Sequence, residues 1–363
     1  MTARTENTSF LSTIGLLLTY RCTIHCPHCF AEAGPGRKEK MALGSALGWI
    51  DEIAAYRNGC IRSVELTGGE PFFDLQTLAL VSDHAMKAGL SITAATNAGW
   101  AGTLEQAILT LNELPGIRKI SISTDVYHQQ FIPDGHIHNA VIAAELLGRR
   151  YDITVTTESE QDEQYLKVME RLERIVDRRL IGTRITLPVG RALKAARSCK
   201  RKLSQEPSSR PCGSSVPLIL PDGRLIACSG PMTAIHDPNP LSLGNLRRDS
   251  LSSILERAET NPLLHLIRVW GPHRMVSLLQ SRGHGDLLPK EYLCGSSCDI
   301  CSRLLCDKRL AEILNQILNE PENRNVIAYA QRQRLSNTET LHRYRVDGTG
   351  QIDATNALLQ SDI

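Results

Sequence analysis

The chain has 363 residues, room for two or three domains at roughly 100–200 residues each. It is 42% hydrophobic and 22% charged, which excludes a disordered, collagen-like or coiled-coil chain. With 41 Lys+Arg against 39 Asp+Glu, the formal charge of +2 provides no field for nucleic acid or an acidic membrane surface.

The longest early apolar run, Ile14–Leu18, is too short for a membrane span or a secretory signal. A cytoplasmic protein with neither a membrane nor a nucleic-acid partner is expected. Eleven cysteines, an odd number without an export signal, favour metal ligation over disulfides.

After an N-terminal extension (1–13), short β-type runs alternate with helical periodicity from Ile14 to about Pro188, as βα repeats do. Six strands are predicted: Ile14–Thr19, Ser63–Thr67, Ser91–Thr96, Lys119–Ser123, Asp152–Thr157 and Arg184–Leu187. Asp74 and Gly89 bracket a helix over Leu75–Ala88. Apolar stripes at Leu104, Ala107, Ile108, Leu111 and at Tyr165, Val168, Met169, Leu172, Val176 mark two more. Six βα units fall short of the eight that close a full barrel, so the fold class is α/β, an open partial (βα)6 TIM-like barrel over 14–192.

Residues 189–211 carry seven Lys/Arg against one Glu, and 193–211 read as a basic, solvated linker, with attraction of an acidic substrate as the alternative reading of that charge. The cysteine-rich region 212–320 follows. In it Leu218–Leu220 and Leu225–Ala227 flank Pro221-Asp222-Gly223 as in a β-hairpin. Leu310, Ile313, Leu314, Ile317 and Leu318 form an amphipathic helix ended by Pro321, with a C-terminal helix and polar tail over 321–363.

Strand one leads into Cys22-x3-Cys26-x2-Cys29. Three thiols so close imply one metal centre. Thiolates select zinc, copper(I) or iron–sulfur clusters, and three of them leave one iron of a [4Fe–4S] cluster without a protein ligand. The competing reading is structural zinc, with His25 or His28 as fourth ligand. Strand two runs into Thr67-Gly68-Gly69-Glu70-Pro71, where paired glycines let backbone approach a ligand and a carboxylate can accept from an ammonium group.

Together these motifs resemble the radical S-adenosylmethionine (radical SAM) superfamily. The resemblance implies that SAM chelates the open iron while Gly68, Gly69 and Glu70 hold its amino end. It further implies one-electron cleavage to a 5′-deoxyadenosyl radical that abstracts substrate hydrogen, with the electron supplied by a flavodoxin- or ferredoxin-type donor. Thr96 and Asn97 end strand three, where ligands of such folds gather. Ser123 and Asp125 match a stretch that in relatives approaches the SAM ribose and carboxylate. Pro188-Val-Gly190-Arg191-Ala192 resembles a stretch that relatives place after strand six. His28 departs from the aromatic residue most relatives carry there.

Cys212, Gly223 and Cys228, followed by Cys294-x3-Cys298-x2-Cys301-x4-Cys306, resemble the auxiliary-cluster domains called twitch, and in part SPASM. This implies at least one auxiliary [4Fe–4S] cluster, on Cys212, Cys228, Cys298 and Cys301, with Cys294 and Cys306 as substitutes or partial ligands of a second. Structural zinc on the same thiols competes with that reading. Past strand four, Asp125, Tyr127 and His128 bring together a carboxylate, a phenol and an imidazole, and Asp125 and His128 are the acid–base candidates.

Relatives of this kind chiefly modify ribosomally made peptides, so maturation of a peptide natural product is expected. Dehydrogenation or epimerisation of a small molecule, sugar or aminoglycoside in type, is the alternative. A non-catalytic zinc or iron–sulfur scaffold is the reading from another class. The short extension before strand one leads us to expect that any leader-peptide recognition uses a separate protein.

Overall fold

The computed structural model describes residues 11–58, 60–195, 201–210, 212, 216–235 and 239–330. Six parallel strands form its frame: β1 (Thr13–Thr19), β2 (Ser63–Gly68), β3 (Ser91–Thr96), β4 (Ile117–Ser123), β5 (Arg150–Thr157) and β6 (Ile181–Ile185), paired in that order. Between them run α1 (Leu43–Ala55), α2 (Leu75–Lys87), α3 (Leu104–Asn112), α4 (Asp134–Leu146) and α5 (Glu163–Glu173). Asp74 caps α2 by accepting from the Thr77 amide at 3.1 Å. The sixth strand starts three residues earlier than its predicted span. Ile181 pairs with Ile153 and Ile185 with Thr157, and pairing fades after Thr186 as the chain bends toward Pro188.

After α6 (Arg191–Ala195) come β7 (Leu203–Ser204), β8 (Leu218–Ile219), β9 (Arg224–Ile226), β10 (Ser242–Asn245) and β11 (Tyr292–Leu293). The predicted hairpin forms as β8 and β9, with Gly223 at φ +86° in its turn. It does not stay within a separate small domain. β8 pairs in parallel with β1, and the sheet has nine strands in the order β10-β9-β8-β1-β2-β3-β4-β5-β6. Gly15 permits this approach, because a Cβ there would lie 2.7 Å from Leu218 Cδ1.

Alternate side chains on the added strands serve two cores. Ile219 and Leu225 join the core behind the sheet, together with Leu251, Ile254 and Leu255 of α7 (Leu251–Glu259), which packs beside α1. Leu17, Leu218 and Ile226 face a second core formed by α8 (Pro262–Val269), α9 (His273–Ser281), α10 (Ser297–Cys306) and α11 (Lys308–Asn319). The cysteine-rich region thus extends the sheet with its strands and covers the other face at the β1 end with its helices. Residues 321–330 are helical, as expected, while the polar tail beyond them and residues 1–10 lie outside the described residues.

Six of residues 201–210 are exposed, as in a solvated linker, yet the stretch is also tied down. Leu203–Ser204 pairs with Tyr292–Leu293, Arg210 pairs with Glu160 at 2.9 Å, and the Arg201 side chain is 8% exposed. Among the described residues no helix is long and apolar enough to cross a membrane.

Candidate active site and metal centres

The loop after β1 carries the first thiol set. It is closed by short bridges from Thr19 to Lys40 and from Arg21 to Gly34. Cys22 and Cys26 are buried with Ile24, Ala33 and Ile132, and Cys29 packs against them half-buried. The stretch after β6 fastens this loop. The Arg191 amide donates to the Cys29 carbonyl at 3.1 Å, and its guanidinium donates to the carbonyls of Cys26 and Ala33. Gly190 has φ +56°, and a Cβ there would meet the Phe30 carbonyl oxygen at 2.3 Å, so this position needs glycine.

Gly68 and Gly69 serve close approach too, and the backbone they approach is the thiol loop. Added Cβ atoms would lie 2.4 Å from the Thr19 oxygen and 2.2 Å from the Arg21 oxygen. The Gly69 and Glu70 amides donate to those same two carbonyls at 2.6 and 2.9 Å.

The Glu70 carboxylate is buried and fully engaged. It accepts from the Phe72 amide (3.1 Å), the Thr96 hydroxyl (2.9 Å) and the Asn97 amide (2.7 Å). Burial raises its carboxyl to about 7 against these hydrogen bonds. Its side chain ties the β2 end to the β3 end, and Asn97 Nδ2 reaches on to Cys22 Sγ at 3.7 Å and Thr23 Oγ1 at 3.1 Å.

Ser123 is the last residue of β4, and Asp125 lies just beyond it with no exposure. Asp125 Oδ1 accepts from the Tyr127 and His128 amides at 2.9 and 3.0 Å. Oδ2 lies 2.9 Å from His128 Nδ1 and 3.5 Å from His28 Nε2, in contacts of ion-pair type without the alignment of a hydrogen bond. Burial would lower His128, but the Asp125 charge beside it, aided by Cys26, raises it well above the ordinary range. Burial pushes His28 down to about 4 despite Asp125. His28 stacks on Tyr127 at 4.5 Å. It thus belongs to the β4 exit.

The second set is assembled from distant segments. Cys228 follows β9, and Cys298 and Cys301 stand on the first turns of α10. Cys228, Cys298 and Cys301 each feel Cys212 and one another electrostatically. Cys294 and Cys306 are exposed, and of the two only Cys306 reaches this group, through Cys301. Asp299, 2% exposed, fixes the site by accepting from the Leu293 amide at 2.9 Å and from Arg303 Nε at 3.0 Å.

Among the described residues, the three ligand atoms gathered within 4.8 Å of one another are those of His28, Asp125 and His128. His25 is exposed, and His28 Nε2 lies 3.5 Å from Asp125 Oδ2. Burial raises the thiols of Cys22 and Cys298 to about 12 and that of Cys228 to about 11. Such thiols ionise only against a strongly cationic core.

Sequence reasoning missed Arg191 as a fastening of the thiol loop, although its motif was visible, and missed Arg201, whose basic surroundings suggest solvent.

Comparison with known proteins bears on residues 16–188, which match the family model described as the Radical SAM superfamily. No curated protein matches the chain. Similar solved structures include BtrN in complex with AdoMet and 2-DOIA, with TM-score 0.40 and 11% identity over 73% of this chain and 90% of that one. Methylornithine synthase (PylB) gives 0.37 and 15% over 50% and 55%. HydG, a maturase of the [FeFe]-hydrogenase, gives 0.38 and 11% over 92% and 82%. These scores are too low for the likenesses to carry an argument about function.

Proposed function

We propose that this chain, whose residues 16–188 match the family model of the radical SAM superfamily, is a SAM-cleaving enzyme with two iron–sulfur centres. A domain of that superfamily implies a [4Fe–4S] cluster, SAM, an external one-electron donor and a substrate. We assign the first cluster to Cys22, Cys26 and Cys29, and an auxiliary [4Fe–4S] cluster of twitch type to Cys212, Cys228, Cys298 and Cys301. When bound, the first cluster and SAM supply a 5′-deoxyadenosyl radical by one-electron reduction of the sulfonium.

The carrying observation is the count and surroundings of the first thiols: three on one loop, Cys22 and Cys26 buried and Cys29 packed against them. The chain's own residues then hold and shield the site. Arg191 and Gly190 dock the loop, and Glu70 locks the β2 and β3 ends. Asp125 Oδ2 lies 2.9 Å from His128 Nδ1, and its Oδ1 accepts from the His128 amide at 3.0 Å, which holds the ring beside His28 of the thiol loop. Since Asp125 is wholly buried and engaged, we assign Asp125 and His128 to this positioning role and not to proton exchange with substrate.

For the substrate, the face of the sheet away from the main core is polar. It carries Glu65, Thr93, Lys119, Ser121, Asp152 and Arg184, facing opposite to the buried aliphatic residues between them. Lys119 and Ser121 both contact the Asp152 carboxylate. Such a lining favours a small polar molecule over a peptide, the first expectation from the sequence. The reading is tested by anaerobic reconstitution with iron and sulfide, then SAM and dithionite. 5′-Deoxyadenosine should form with the natural chain and fall below detection in Cys26→Ala. Equal formation by Cys26→Ala refutes the assignment.

A further inference from the structure

The basic stretch after β6 places one guanidinium where a solvated linker would place none. Arg201 stands at the exits of β4 and β5, near Tyr127 and Glu158. Its side chain is 8% exposed, and its Nε is buried with no hydrogen-bond partner. Among the described residues its carboxylate neighbour, Glu158 Oε1, lies 3.8 Å from Nη2, which balances charge but is too far for a hydrogen bond. Beside it the Thr186 hydroxyl is buried against the Tyr127 phenol without a well-formed bond. The backbone here is held on the far side: the Cys294 amide donates to the Lys202 carbonyl at 2.9 Å, and β7 pairs with β11.

A guanidinium has five donors in a planar fork and cannot shed its charge. Withdrawing it from water with donors unmet is among the costlier arrangements a fold can hold. The fork matches two oxygens of a carboxylate or phosphate, and it lies at the strand C-termini where ligands of this fold gather. We infer that Arg201 anchors an oxyanion of the substrate, carboxylate or phosphate, at the mouth above β4 and β5. This rests on the proposed function only in taking the strand ends as the reaction chamber.

The test uses reconstituted full-length protein with S-adenosylhomocysteine saturating the SAM site. Thermal melting is followed against glutarate, inorganic phosphate and the neutral glutaramide. Glutarate or phosphate should raise the melting temperature saturably and glutaramide should not, and whichever acts at the lower concentration identifies the oxyanion. Arg201→Gln should weaken that response at least tenfold, Arg201→Lys should retain part of it, and the fully exposed Arg179→Gln should match the natural chain. Glu158→Gln, which keeps Arg201 and removes the competing charge, should respond at lower anion concentration and keeps the test open if Arg201→Gln does not fold. Equal responses of the natural chain and Arg201→Gln overturn the proposal. So does a response that appears only with the SAM site empty, since the oxyanion would then be that of SAM. Deoxyadenosine formation by the natural chain tests the underlying reading separately.

Discussion

The two thiol sets are built in opposite ways. Cys22, Cys26 and Cys29 lie on one loop after β1, and the rest of the domain closes around that loop through Gly69, Glu70, Gly190 and Arg191. The second set draws on Cys212, a hairpin and a helix, and exists only because that hairpin adds to the free edge of β1 and α10 packs behind it. A site local in sequence thus has its scaffold brought to it. A dispersed one is made by the scaffold. On the proposed assignment the first has three thiols and the second four, so the first alone would leave a cluster iron open for chemistry.

The largest effect that sharpens this contrast is the loss of one dispersed ligand. Cys298→Ala should remove one cluster's worth of iron and abolish substrate turnover while leaving deoxyadenosine formation intact, as read by iron analysis and chromatography. Loss of SAM cleavage as well would merge the two sites into one functional unit.

Next comes Gly190→Ala, whose Cβ would strike the Phe30 carbonyl at a left-handed backbone position. A destabilisation of about 2–4 kcal/mol is expected, with iron lost from the first site and kept in the second. Loss from both sites in equal measure would contradict the separation.

A matched pair follows. Arg191→Met removes donors to two carbonyls of the first loop, and Asp299→Ala removes the acceptor for Leu293 and Arg303 beside the second set. Each should cost about 2–3 kcal/mol in denaturant unfolding, and each should lower iron only at its own site.

The smallest effect is a pH dependence confined to the helices of the second core. Burial lowers the His265 imidazole, so the folded state binds a proton less readily than the unfolded one. Stability should be full above about pH 6.5 and decline as pH falls toward the depressed value. His265→Gln should flatten that decline in melting curves. An unchanged slope would remove His265 from the account.

Much of this was legible in the sequence because it is local. β3 spans its predicted residues, and Asp74 caps its helix. What escaped depends on contacts between distant segments. Nothing in Leu218–Ile219 says that it will pair with Gly15 and Leu16. The sequence does not show Phe72, Thr96 and Asn97 converging on the Glu70 oxygens. Arg201 was lost among six other basic residues because composition reports charge and not burial.

The most direct measurement is electron paramagnetic resonance of dithionite-reduced protein in which Cys212, Cys228, Cys298 and Cys301 are all replaced by Ala. The account predicts a single reduced [4Fe–4S] signal whose shape changes on adding SAM. No such signal, or one that SAM leaves unaltered while the Cys22, Cys26, Cys29 triple variant responds to SAM, would contradict it.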